Sequence, residues 1–99
     1  MKMNTGITLR PELHWFAGMM EKTLRKHDAE KGVDGWKNEN MEWLYDRLRE
    51  EALELEVALL SGKENPTGII KECCDVANIA MMIADLAYTN KEAANGKAN

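Results

Sequence analysis

The chain predicts an all-α fold, a bundle of three long helices, on three observations. Apolar residues recur at steps of three and four along three separate stretches, the spacing that lines one face of a helix. Only 2 Pro and 7 Gly occur in the 99 residues, which leaves long runs free of breakers. Seven Met against 6% aromatics is a composition that suits helices. A chain of 99 residues, 44% hydrophobic and 30% charged, is one globular domain and not a disordered segment. The domain is expected over 1–99, with 1–8 and 90–99 as flexible ends.

The first helix runs from about Leu9 to Ala29. Thr8 can cap it, Pro11 suits its first turn, and Leu13, Phe16, Ala17, Met20 and Leu24 recur at helical spacing. The segment EKGVDGWKNEN, with two glycines and mixed charge, reads as a loop. Helix two starts near Asn40 and runs to Leu60, stopping at Ser61-Gly62. Its stripe is Met41, Leu44, Leu48, Ala52, Leu55 and Leu59. After SGKENPTG, Asn65 caps helix three and Pro66 opens it, and the helix runs to about Thr89. The tail NKEAANGKAN has room for a short fourth helix but reads as frayed.

Rotation by 100° per residue sharpens helices two and three. About Leu48, the residues Leu44, Ala52, Leu55 and Leu59 fall within about 40°, with Glu51 near −60° and Glu54 near −120°. About Glu72, the residues Val76, Ile79, Ile83 and Leu86 fall within about 40°, so a carboxylate sits at the centre of an apolar face. The other side of helix three carries Ile70, Cys74, Ala77, Met81, Ala84 and Tyr88. A helix apolar nearly all round is central in a large core or shared with a second subunit. A chain this short has no large core, so the bundle is expected to be completed by oligomerisation, at least as a dimer through helix three.

Thirteen basic and 17 acidic residues give a net charge of −4 and a pI near 5.2, which argues against a basic face gripping nucleic acid. The longest apolar run, Ile79 to Ala84, is far short of the roughly 18 residues of a membrane helix. The opening MKMNTGITLRPELHW has no apolar core of a signal peptide. A cytoplasmic chain with reduced cysteines is expected. Adjacent in one helix, Cys73 and Cys74 diverge by about 100° and lack ligand spacing, so they read as structural.

Two motifs carry chemistry: Glu50-Glu51-Ala52-Leu53-Glu54 and Glu72-Cys73-Cys74-Asp75. Acids at i and i+3 share a helical face. Seventeen residues separate Glu54 from Glu72, enough to end one helix, turn and open the next. Antiparallel packing would then set the two pairs facing each other. Unit charges 4 Å apart interact by about 4 kcal/mol at an effective dielectric of 20, so protons or a cation must relieve the cluster. All-oxygen ligation favours a hard ion, Mg²⁺ or Mn²⁺. Without these five residues 12 acids face 13 bases, so the negative balance is local to them. Salt bridges from Arg47 or Lys71 offer a purely structural alternative. A di-iron carboxylate bundle would need Glu-x-x-His on two helices, and the fourth positions here are Glu54 and Asp75.

E-E-x-x-E followed by E-x-x-D on consecutive helices resembles the MazG-like all-α nucleoside triphosphate pyrophosphohydrolases, relatives of the dimeric dUTPases. WLYDRLREEALELEVAL and KECCDVANIAMMIAD are close to that pattern, and EKTLRKHDAEKGVDGWKNENMEWL is similar to short single-module members, so the resemblance spans roughly residues 12 to 88. It implies that Glu51, Glu54, Glu72 and Asp75 hold Mg²⁺, and that Glu50 holds a further ion or orients water. It also implies attack of water between the α and β phosphates of a (d)NTP, giving (d)NMP and pyrophosphate. The alternative is a non-catalytic helical nucleotide-binding or interaction module with structural acid pairs.

The remaining residues are read singly. Asn78, one turn beyond Asp75, can bond a ligand or another helix. Trp36 can stack on a base or plug the end of the bundle. Lys31 and Lys37 flank the same loop as candidate phosphate contacts. Trp15 and Trp43 read as packing residues, and His27 as a structural histidine near a helix end. Expected partners are a nucleoside triphosphate and a second copy of the chain, with neither a nucleic acid polymer nor a membrane. A general (d)NTP is the preferred substrate, with dUTP, a non-standard nucleotide and phosphoribosyl-ATP the other candidates.

Overall fold

The computed structural model describes residues 6–62 and 65–97, with the side chains of residues 31 and 91–97 outside the description. These residues form three α-helices, α1 (Pro11–Lys31), α2 (Met41–Ser61) and α3 (Pro66–Lys97), with a short 3₁₀ turn at Gly35–Asn38, and no strand is found among them.

Local chemistry sets the helix ends. Pro11 opens α1 at its first position, where its missing N–H costs nothing; the cap is Arg10, without a side-chain bond, and not Thr8 as expected. Asn40 Oδ1 accepts from the Trp43 amide at 2.7 Å and starts α2 where the sequence places it. Gly62, at φ 66°, supplies the left-handed residue that ends α2. Asn65 Oδ1 accepts from the Gly68 amide at 2.8 Å, with Pro66 next in line, and starts α3. The tail differs from expectation. Helical backbone continues without a break to residue 97, so there is no separate fourth helix and no frayed end at Thr89. The residues after Thr89 include Lys, Glu and Ala, good helix formers, and no Pro.

α3 is the central helix. It packs most extensively on α2 and, at another side, on α1. Asn78 Nδ2 of α3 donates to the Met20 carbonyl of α1 at 3.2 Å, and Cys74 of α3 meets Thr23 of α1, so these two helices run antiparallel. The apolar character of α3 on several sides is thus used largely within one chain.

The face that α2 turns to α3 is rotated from the expected stripe. Leu44, Glu51 and Ala58 are buried and Leu48 and Leu55 half-buried, while Ala52 and Leu59 of the stripe are exposed. The centre lies about 50° towards Glu51, which brings that carboxylate into the helix seam. Buried apolar side chains are few among the described residues: Leu44, Ala58 and Cys74. No described helix is long and apolar enough to cross a membrane.

Candidate functional site

A cleft of about 380 Å³ opens along α3. One end is walled by Glu51, Glu54, Arg47, Lys71 and Asp75, and the 3₁₀ turn contributes Trp36. Asn78, Ile79 and Met82 of α3 line it, with Leu24, His27 and Asp28 of α1 and Trp43 of α2 opposite.

The carboxylates converge as the i, i+3 spacing and antiparallel packing require. Glu51, Glu72 and Asp75 each bring an oxygen within 4.8 Å of the others. Glu54 lies on the cleft wall beside Glu51 but is outside this trio. Glu50 does not join them. Its side chain is 62% exposed and paired with Arg47 at 2.6 Å, because it lies beyond the seam on the outer side of α2.

Burial leaves the trio incompletely satisfied. Glu51 Oε2 and Glu72 Oε2 are both buried and accept no hydrogen bond from a protein donor. Loss of solvation, a hydrogen bond with Glu54, and repulsion from Glu54 and Asp75 push the Glu51 carboxyl up to about 7, against the pull of Arg47. The counter-charges are those the sequence allowed for. Arg47 Nη2 donates to Glu51 Oε1 at 2.7 Å, and Lys71 Nζ lies 3.0 Å from Asp75 Oδ2 and 3.8 Å from Glu72 Oε1. The bond to Asp75 raises Lys71 above the usual lysine value, against the effect of burial. The donor set is all oxygen, tightly grouped and partly unpaired, and this fits a hard divalent cation.

Other predicted residues fall out differently. Asn78 is 3% exposed; its Nδ2 makes the helix–helix bond to Met20, and its Oδ1 is buried on the cleft wall without a donor. Trp36 lines the cleft and donates its indole N–H to Asp85 Oδ2 at 3.2 Å. Lys37 does not line it: its Nζ lies 3.6 Å from Asp85 Oδ2 and 5.7 Å from the Trp36 ring centroid. The side chain of Lys31 lies outside the described residues. Trp15 and Trp43 are 52% and 44% exposed, so neither is a core packing residue; Trp15 lies against Phe16, and Trp43 borders the cleft. His27 is likewise exposed on the cleft wall. Cys74 is buried, and that burial pushes its thiol up, a hydrogen bond with Thr23 opposing it.

Asp85 is the residue sequence reasoning missed. Its signal is an acid ending the apolar run IAMMIA, two helical turns after Asn78.

Fold and site together define a class, an all-α protein with a carboxylate-lined cleft between its helices. No protein-family model, curated protein or solved structure matches the chain.

Proposed function

We propose that the chain is a metal-dependent nucleoside triphosphate pyrophosphohydrolase, cleaving a (d)NTP between its α and β phosphates. The observation that carries this reading is the grouping of Glu51, Glu72 and Asp75 oxygens within 4.8 Å, with Glu51 and Asp75 on the wall of a cleft. The MazG-like pattern of the two acid motifs supports it. Glu51, Glu72 and Asp75 would hold Mg²⁺ or Mn²⁺, with Glu54 beside them. When bound, the ion offsets the phosphate charge and acidifies a coordinated water.

The chain's own groups do the rest. Without an ion, burial and the neighbouring Glu54 and Asp75 push Glu51 up to about 7, so a cation held there would displace the Glu51 proton near neutrality. Arg47 and Lys71 offer cationic donors on the cleft wall for phosphate oxygens. Trp36 and Ile79 give the cleft an apolar wall for the base. Asn78 Oδ1 presents a fixed acceptor, because its amide nitrogen is already bonded to Met20. A second copy of the chain belongs to this reading, since the exposed Leu53, Val57 and Leu60 of α2 call for cover. So does a cytoplasmic place with reduced cysteines.

The test is pyrophosphate release across NTPs and dNTPs, dUTP and phosphoribosyl-ATP included, with Mg²⁺, Mn²⁺ or chelator. Ion-dependent release that falls by at least about 100-fold in Asp75→Asn supports the proposal. No turnover of any triphosphate with either ion overturns it. That result would favour a helical interaction module, a reading the Arg47–Glu51 and Lys71–Asp75 pairs support.

A further inference from the structure

Asp85 lies ten residues beyond Asp75 on α3, so the helix carries it about 15 Å along its axis from the carboxylate cluster. Its side chain is only 12% exposed and serves two donors, Trp36 Nε1 at 3.2 Å and Lys37 Nζ at 3.6 Å. Both donors belong to the 3₁₀ turn Gly35–Asn38, which is 49 residues away in sequence at the Trp36 bond. Backbone bonds from Lys37 to Asp34 and from Glu39 to Trp36 keep the turn's own shape but tie it to no helix. Among the described residues, the side-chain bonds that anchor this turn to α3 run through the Asp85 carboxylate.

A partly buried indole N–H needs a partner, and that partner fixes how the ring lies. Trp36 is a cleft wall, so whatever orients its ring shapes the cleft. Lys37 adds a second hold on the same carboxylate, and its ammonium beside the indole reinforces the arrangement.

We propose that Asp85 is a positioning residue: through Trp36 and Lys37 it clasps the 3₁₀ turn against α3, and so sets how well the cleft holds the part of a ligand that lies against Trp36. The identity of that ligand as a nucleoside triphosphate rests on the function proposed above; the clasp itself does not.

The experiment uses the full chain with Trp15→Phe and Trp43→Phe, which leaves Trp36 as its single indole. Asp85→Ala and Asp85→Asn are added to this parent. Indole emission and acrylamide quenching read the turn, and KM and kcat for dATP with Mg²⁺ read the cleft. In Asp85→Ala the emission shifts to the red, quenching increases, and KM rises roughly five- to tenfold, the worth of about one hydrogen bond, with kcat little changed. Asp85→Asn keeps an oxygen for the indole N–H and restores most of both. Unchanged emission and quenching in Asp85→Ala overturn the proposal, as does a loss confined to kcat. If the wild-type chain turns over no triphosphate, the functional reading fails and the fluorescence arm still decides the clasp. If Asp85→Ala does not fold, exchange of the Trp36 indole N–H in the wild-type chain decides instead. Protection relative to the Trp15 indole supports the clasp, and equal exchange overturns it.

Discussion

Glu51 shows how one misplaced charge fixes a pH dependence. Its carboxyl holds its proton up to about pH 7 in the folded chain, against an ordinary value of 4.5. Between those values the folded state keeps a proton that the unfolded chain has released, so stability falls as pH rises through the window, by about 3 kcal/mol in all. Denaturant midpoints at pH 5 and pH 7.5, both in chelator, should show that fall in the wild type and little of it in Glu51→Gln. Equal slopes in the two proteins would contradict it. Glu72 makes the complementary case. One of its oxygens is buried without a donor, and its nearest cation, on an exposed lysine, stands 3.8 Å away. In chelator, Glu72→Gln should melt as high as the wild type or higher, because it removes repulsion from Asp75 and Glu51. Added Mg²⁺ should raise the wild-type melting temperature and leave the variant nearly unmoved. A structural ion pair predicts the reverse, with a variant about 3–5 kcal/mol less stable in chelator. At this scale the grouping of Glu51 with Glu72 and Asp75 was legible in sequence because i, i+3 spacing is a local rule, whereas Glu50 and Glu54, expected with them, fall outside the trio. Asp85 was not, because its partners are 49 residues away and no periodicity links them.

Among the elements, the helices themselves were legible because their signals are also local. Asn40 and Asn65 cap where their side chains reach the next amides, and Gly62 takes the left-handed turn that ends α2. The rotation of α2 was less so. Periodicity placed its stripe on Leu48, but the seam centres nearer Glu51, with Ala58 buried and Leu59 out. Hydrophobic spacing weighs each apolar residue alike, whereas packing selects those that let two backbones approach, and Ala58 is small. The same rotation leaves Leu53 at 59%, Val57 at 57% and Leu60 at 78% exposure. At i, i+4 and i+7 these three share the outer face of α2, away from α3. The 3₁₀ turn was read as plain loop because four residues cannot establish a period.

The whole molecule is extended for its length. Its Cα radius of gyration is 15.5 Å, against about 13 Å for a compact domain of this size. Three buried apolar residues among those described make a small core for three long helices. Such a chain would gain stability if a second copy covered its outer apolar face, as short sequences complete a core by assembly. The sequence points to α3 for that contact, through a face that includes Met81. Met81 is already half-buried within the chain, so Met81→Lys would disturb the fold and the assembly together. Val57 separates the two effects, because it is exposed in the single chain and sits between Leu53 and Leu60. Val57→Lys should leave the helical signal of the isolated chain intact while removing apolar cover from the middle of the patch. Sedimentation at micromolar concentration should then show an assembly of at least two chains in the wild type and a monomer in the variant. The melting temperature of the wild type should also rise with protein concentration, and that of the variant should not. A wild type that sediments as a monomer would remove the second copy from the picture. A variant that stays assembled would return the contact to α3, where Ala80, Ala84 and Ala87 form the exposed strip.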